Sequence, residues 1–189
     1  MKVGVLALQG AFARHGQCLR ALGAEVLDVR QPSDLTEVDA LVLPGGESTT
    51  MSMLLETSGL FDAIADRLRD GLPTLGTCAG MILLGSEILD GRGDQRCFGA
   101  IDISVRRNAF GRQIDSFEAD LALSDVQGEP FRAIFIRAPF VERTGPNVEV
   151  LATVDGHPVL CRQGAVTVAA FHPELTSDAR VHDLFLKEL

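Results

Sequence analysis

The stretch Pro73-Thr74-Leu75-Gly76-Thr77-Cys78-Ala79-Gly80-Met81 constrains this chain more than any other. A short apolar piece ends at a cysteine, and an apolar helical pattern, Met81 to Leu89, begins just after it. The spacing predicts a strand, a sharp turn and a helix, with Cys78 at the turn. G-x-C-x-G is the cysteine form of the G-x-S-x-G nucleophile elbow. A turn this tight forces strained backbone angles on its apex residue. Its neighbours must then lack bulk, as Gly76 and Gly80 do. The turn lifts the sulfur clear of the sheet, and the helix N-terminus behind it stabilises negative charge there. Taken alone, the stretch also fits a buried structural cysteine beside two loop glycines.

The chain before this point alternates strand and helix. Val3 to Leu8 is a continuous apolar run, as in a strand covered on both faces. It is too short for a signal peptide and is broken by Gln9-Gly10. Ala11 to Leu22 has helical spacing through Phe12, Leu19 and Leu22, with Gly23 placed as a C-terminal cap. Glu25 to Val29 and Ala40 to Leu43 read as strands, the latter running into Pro44-Gly45-Gly46-Glu47-Ser48-Thr49. Leu60 to Asp70 reads as a helix stopped by Gly71. Strands alternating with helices predict a mostly parallel sheet with helices on both faces. A site in such a sheet lies beyond the carboxyl ends of its strands, where Gln9-Gly10, Gly45-Gly46 and Cys78 all fall.

From Phe98 onward the pattern changes to strands without long helices. Ile101 to Val105, Phe117 to Leu123, Ala133 to Ile136, Val148 to Val154, Val159 to Arg162 and Ala165 to Phe171 all read as strands. Phe117, Ala119, Leu121 and Leu123 alternate with polar or small residues, which predicts one wet face. Asp155-Gly156 is a hairpin signal. Thr176 or Ser177 can cap a last helix whose stripe is Val181, Leu184 and Phe185. The expected architecture is α/β: a mostly parallel sheet between helices, with additional antiparallel strands in the C-terminal half. The 189 residues suit a single domain, 1–189.

Composition excludes several partners. A formal net charge of -9 repels phosphate backbones and anionic lipid. The chain has no Trp and no Tyr on which bases could stack, and no apolar run long enough to span a membrane. Nucleic-acid and membrane binding are set aside. Cys18, Cys78, Cys97 and Cys161 are widely spread without a C-x-x-C pair, which argues against zinc and for a reducing cytoplasm.

A cysteine nucleophile needs a base, and the base needs an orienter. Of four histidines, His15 reads as a solvated residue of the first helix, His157 as an exposed hairpin residue, and His182 as half-buried packing. His172 follows an apolar strand and leads into Pro173-Glu174. In an extended segment His172 and Glu174 share a side, so Glu174 can hold one imidazole nitrogen while the other faces Cys78. The alternative is a core histidine next to a helix-capping glutamate. Oxyanion donors are the N–H of Ala79 and a peptide of the Gly45-Gly46 turn.

Gly76-Thr77-Cys78-Ala79-Gly80, Pro44-Gly45-Gly46-Glu47-Ser48-Thr49 and His172-Pro173-Glu174 together resemble the class I (triad) glutamine amidotransferases. Leu8-Gln9-Gly10-Ala11, Arg107-Asn108-Ala109-Phe110-Gly111-Arg112-Gln113, Asp115-Ser116-Phe117-Glu118-Ala119-Asp120, Phe135-Ile136-Arg137-Ala138-Pro139 and His172-Pro173-Glu174-Leu175-Thr176 are similar to the glutaminase subunits of pyridoxal 5'-phosphate synthases within that class. This resemblance covers the whole chain. It implies a three-layer, flavodoxin-like fold and a Cys78-His172-Glu174 triad acting on L-glutamine. It further implies glutamine contacts from Gly46, Glu47, Ser48, Arg107, Ile136 and Arg137, with no cofactor and no metal. The partner it implies is a separate (β/α)8-barrel synthase subunit that receives the ammonia, with Gln9 and Gly10 placed to respond to docking. The alternatives are the glutaminase subunit of another amidotransferase, another cysteine hydrolase of similar fold such as a peptidase or a gamma-glutamyl hydrolase, and a non-catalytic binding protein of that fold. The block from Arg107 to Asp120 argues against the hydrolase, and the intact Cys78, His172 and Glu174 argue against the last.

Overall fold

A computed structural model of the chain describes residues 1–107, 116–124 and 128–189. In chain order the first half comprises β1 (Lys2–Leu6), α1 (Phe12–Ala21), β2 (Glu25–Val29), a 3₁₀ turn (Pro32–Glu37), β3 (Ala40–Leu43), α2 (Ser48–Thr57), α3 (Leu60–Arg69), β4 (Thr74–Thr77) and α4 (Ala79–Leu84). The second half adds β5 (Gly85–Ile88), β6 (Ile101–Arg106), β7 (Phe117–Leu121), β8 (Phe131–Phe135), β9 (Phe140–Thr144), β10 (Glu149–Val154), β11 (His157–Gln163), β12 (Val166–Ala169), a 3₁₀ turn (Pro173–Leu175) and α5 (Arg180–Lys187).

The described residues form a seven-stranded sheet in the order β10-β11-β12-β4-β3-β1-β2. Its members from β2 to β12 run parallel, and β11 and β10 close one edge antiparallel. The period-2 alternation of strand side chains sorts its residues into two cores. Val3, Val5, Ala40, Val42 and Leu75 pack with Leu19 of α1 and Phe185 of α5. Leu6, Leu41 and Leu43 point the other way, into the core shared with Met51 and Leu55 of α2, Ile64 of α3 and Leu83 of α4. Helices therefore cover both faces, as the continuous apolar runs require.

Several sequence expectations hold in detail. Gly23 takes φ +87 at the end of α1, and Ala24 N–H bonds back to the Leu19 carbonyl, closing that helix. Val154 and His157 pair across a two-residue Asp155-Gly156 loop in which both φ values are positive. The β7 strand alternates as read, with Glu118 and Asp120 exposed and Phe117 stacked on Phe135 of β8.

Other boundaries move. The apolar pattern Met81 to Leu89 is not one helix: α4 ends at Leu84, and Gly85–Ile88 pairs with β6. Phe98 N–H and Ala100 N–H take the carbonyls of Leu83 and Leu84, which stops the helix where the chain must turn into a second, three-stranded sheet, β5-β6-β9. The strand β9, which apolar patterning does not single out, is laced to β6 by charge pairs, Arg106 with Glu142 and Arg143 with Asp102. Neither Thr176 nor Ser177 is the cap residue of α5. That helix begins after Ala179, and the Asp178 carboxylate accepts from Arg180 N–H at 3.0 Å. The motif residues 108–115 lie outside the described residues.

Backbone approaches backbone closely where α4 crosses β3 and β4. A Cβ on Gly80 would overlap the Leu43 carbonyl oxygen, and one on Gly76 would stand 2.8 Å from Gly80 backbone atoms. Backbone on both sides leaves no room to yield. Gly80→Ala is expected to cost about 1–3 kcal/mol. Urea unfolding should show a lower midpoint with unchanged slope.

Candidate active site

Four loops meet at the carboxyl edge of the sheet, following β1, β3, β4 and β12. Cys78 links β4 to α4 at φ 49, ψ -102, a conformation far outside the usual regions for a residue with a side chain. It is held there from both ends: its N–H donates to the Ala169 carbonyl at 2.8 Å, and its carbonyl accepts from Ile82 N–H at 3.2 Å. The strain is thus imposed by the adjacent strand and by the helix that follows.

His172 leaves the end of β12, next to β4, and its N–H donates to the Ile134 carbonyl at 2.9 Å. Its Nδ1 lies 2.8 Å from Glu174 Oε1. The pair is brought together by a 3₁₀ turn over Pro173–Leu175, with Pro173 at its first position, not by an extended segment. Burial alone would lower the affinity of His172 for its proton, but its hydrogen bonds to Cys78 and Glu174 outweigh that and raise its pKa. Glu174 is 2% exposed. Burial works against its charge, yet the His172 bond and the nearby imidazoles hold its pKa below the ordinary carboxylate value.

These residues face a cavity of about 440 Å³ lined in part by Gly10, Gly46, Glu47, Ser48, Cys78, Arg107, Ile136, Arg137, His172 and Glu174. Two expected site residues stand outside the lining. Ala79 is buried directly behind Cys78 as the first residue of α4, where backbone N–H groups have no intrahelical acceptor. Gln9 sits one layer away, its Oε1 accepting from Glu47 N–H at 3.2 Å. The loops after β1 and β3 interlock closely: Gly10 has φ +83 and lies against the Gly45 carbonyl, while a Cβ on Gly45 would come within 2.5 Å of His172 Cε1.

Glu47 caps α2, accepting from Thr49 N–H at 3.0 Å and Thr50 N–H at 2.7 Å. Burial opposes its charge, but these bonds and the Thr50 hydroxyl hold its pKa down to about 2. The same carboxylate pairs with Arg107 at 3.2 Å. Arg107 also donates to Thr49 Oγ1 and Gln95 Oε1, both at 3.0 Å, and its N–H donates to Asp90 at 2.7 Å. Thr49 belongs to the turn motif, but its bond to Arg107, like the contacts of Gln95 and Asp90, has no sequence signal. Arg137, exposed and at φ 45, makes no ion pair among the described residues. No group of three or more His, Cys, Asp or Glu among the described residues could hold a metal ion.

The histidine expectations need correction. His15 is not on the surface but 0% exposed, 3.3 Å from Glu174 Oε2. His182 is likewise 0% exposed and 2.9 Å from His15. His157 begins β11, half-buried against Phe140. The missed signal for His15 was its spacing: Phe12, His15, Leu19 and Leu22 fall on one helical face.

The chain matches the model of the SNO glutamine amidotransferase family over residues 5–189. It belongs to that family. The pyridoxal 5'-phosphate synthase subunit PdxT of Mycobacteroides abscessus is 60% identical over 184 residues, covering 97% of this chain and 95% of that protein. PdxT of Carboxydothermus hydrogenoformans is 50% identical, covering 100% of this chain and 98% of that one. A crystal structure described as a glutamine amidotransferase superposes with a TM-score of 0.92 at 47% identity, covering 98% of this chain and 97% of that one. The family membership fixes the fold as that of a glutamine amidotransferase.

All four cysteines are free. Burial raises the thiol pKa of Cys18 and Cys97 and pushes that of Cys161 up to about 12. An electrophilic glutamine analogue is expected to label Cys78 and spare the other three, as peptide mass mapping would reveal; equal labelling of all four would contradict the site.

Burial also lowers the pKa of His15, and that of His182 to about 3 from an ordinary 6.5. Both are neutral when folded and charge on unfolding, so the unfolded chain binds more protons below pH 6.5. Their contribution to stability is complete above that pH and declines as pH falls below it, for His182 down toward 3. The slope is about 1.4 kcal/mol per pH unit for each extra proton. Denaturation midpoints measured from pH 7 to 4 should fall less steeply for His182→Phe than for the unsubstituted chain.

Proposed function

We propose that this chain is the glutaminase subunit of a pyridoxal 5'-phosphate synthase, one domain over residues 1–189. It hydrolyses L-glutamine to L-glutamate and ammonia, and the ammonia passes to a separate synthase subunit. The observation that carries this reading is the 2.8 Å His172–Glu174 bond beside the strained Cys78, at a cavity that two arginines border. The near full-length likeness to PdxT subunits supports the choice of synthase.

In this reading Cys78 Sγ, its proton passed to His172, attacks the side-chain amide carbon of glutamine. The oxyanion accepts from the Ala79 N–H and a peptide N–H at Gly46. His172 gives its proton to the departing nitrogen, the C–N bond breaks, and ammonia leaves a thioester. Water, deprotonated by His172, then attacks the thioester and releases glutamate and the thiol. Glu174 holds the imidazole. Arg137, with a guanidinium at the cavity, binds the α-carboxylate through paired hydrogen bonds. Arg107 pairs with Glu47 and lines the same cavity, and Ser48 and Ile136 complete the pocket.

Ammonia at neutral pH is mostly protonated and no longer nucleophilic, so an enclosed path to the acceptor is required. The resemblance names that acceptor as a (β/α)8 barrel. Gln9 holds the Glu47 peptide, next to the oxyanion donor Gly46 of this reading. Docking that shifts Gln9 and Gly10 would let the Gly45-Gly46 peptide turn into place. The reducing cytoplasm is the compartment in which a free Cys78 thiol persists.

The test is ammonia release from glutamine with and without the synthase. The isolated chain should hydrolyse weakly and the complex strongly. Cys78→Ala should abolish both rates while remaining folded. Gln9→Ala should lower the stimulated rate more than the basal one. An isolated chain already at full rate, unchanged by the synthase, would contradict the coupling.

A further inference from the structure

Glu174 has two carboxylate oxygens, and the glutaminase reading uses only one. Oε1 bonds His172. Oε2 is buried and makes no formed hydrogen bond among the described residues, and His15 Nε2 of α1 stands 3.3 Å from it. The same nitrogen lies 3.2 Å from Thr77 Oγ1, on the residue before Cys78. His15 Nδ1 lies 2.9 Å from His182 Nε2 of α5. Two helices, the elbow strand and the 3₁₀ turn thus converge on one buried imidazole.

Burying two imidazoles costs free energy that apolar side chains would not incur. Their partners dictate one arrangement of protons. Burial chiefly, then the neighbouring His172, keeps His15 neutral, against the pull of Glu174. A neutral His15 has one N–H. With the proton on Nδ1, a lone pair on Nε2 would face the Glu174 carboxylate. His182 would then carry its proton on Nδ1, which has no hydrogen-bond partner among the described residues. With the proton on Nε2, His15 offers a donor to Glu174 Oε2 and Thr77, and Nδ1 accepts from His182 Nε2–H. Only a lone pair on His182 is then left unmatched, and an unmatched acceptor is the milder defect.

We propose that His15 is a positioning residue for the glutaminase: fixed by His182 as the Nε2–H tautomer, it donates to Glu174 Oε2 and so keeps the carboxylate ionised and aimed at His172 through Oε1. The inference rests on the glutaminase reading above. A carboxylate with both oxygens engaged is a weaker base than one with a bare oxygen. It stabilises the His172 imidazolium without drawing the proton away before ammonia departs. Without His15 the buried carboxylate is one donor short and keeps its own proton to higher pH. The titratable groups facing His15 are Glu174 and His172 from the turn and His182 from α5; Cys18, also on α1, is acted on by the same Glu174.

The experiment compares His15→Leu and His15→Gln in the complex with the synthase. Leu should lower kcat by about 10–100-fold with KM nearly unchanged, and shift the acid limb of the kcat/KM profile upward. The Gln amide N–H reaches the place of Nε2 and should restore both. Folded Leu and Gln variants that match the unsubstituted enzyme, or that lose activity equally with no shift of the limb, would overturn the proposal. Should Leu fail to fold, ¹⁵N-histidine spectra of the unsubstituted chain decide it. His15 should be neutral with its proton on Nε2 between about pH 6 and 8. A cationic or Nδ1-protonated His15 overturns the assignment. An inactive unsubstituted complex would count against the glutaminase reading instead, and the spectra would still test His15.

Discussion

The site depends on the close approach of one helix to two strands. Because Gly76 and Gly80 carry no side chains, α4 can press against β3 and β4 until backbone meets backbone. That approach drives Cys78 into its strained conformation, since a looser crossing would allow an ordinary turn. The energy of the strain is met by burial: Leu43, Leu83 and Leu84 are all 0% exposed around the crossing. Packing on the helix side of the sheet is therefore converted into the placement of a sulfur atom at its edge.

From there the rest of the site follows by strand order. Neighbours β3 and β12 flank β4, so the loops after them necessarily border Cys78. One supplies Gly45-Gly46, packed against the His172 ring, and the other supplies His172 itself. Glu47 joins this cluster to the rim by capping α2 and pairing with Arg107 at once. A single carboxylate thus holds a helix start and a guanidinium in register.

Much of this was legible in the sequence, for physical reasons. Apolar runs covered on both faces announce parallel strands, and a cysteine between two glycines at a strand–helix junction announces the elbow. Where reading failed, residue type had overridden spacing or the partner lay far along the chain. His15 falls on the same helical face as Phe12 and Leu19, but its type reads as a surface residue because the partners that bury it, Glu174 and His182, lie far along the chain. The end of α4 could not be read because Leu83 and Leu84 receive their stopping hydrogen bonds from Phe98 and Ala100. The strand β9 carries Glu142 and Arg143 outward, so its apolar signal is thin, and only cross-strand charge pairing reveals it.

The position of β12 has a consequence for how the molecule is made. It is the last strand of the chain, yet it lies inside the sheet between β11 and β4. During synthesis the elbow strand therefore emerges long before its neighbour, with one edge unpaired and its backbone groups open to other chains. Through that interval Cys78 stands without His172 beside it. Insertion of β12 closes the sheet and brings His172 beside Cys78 in the same event. A ribosome-bound or truncated chain lacks His172 at the elbow for the same reason that its sheet edge is open.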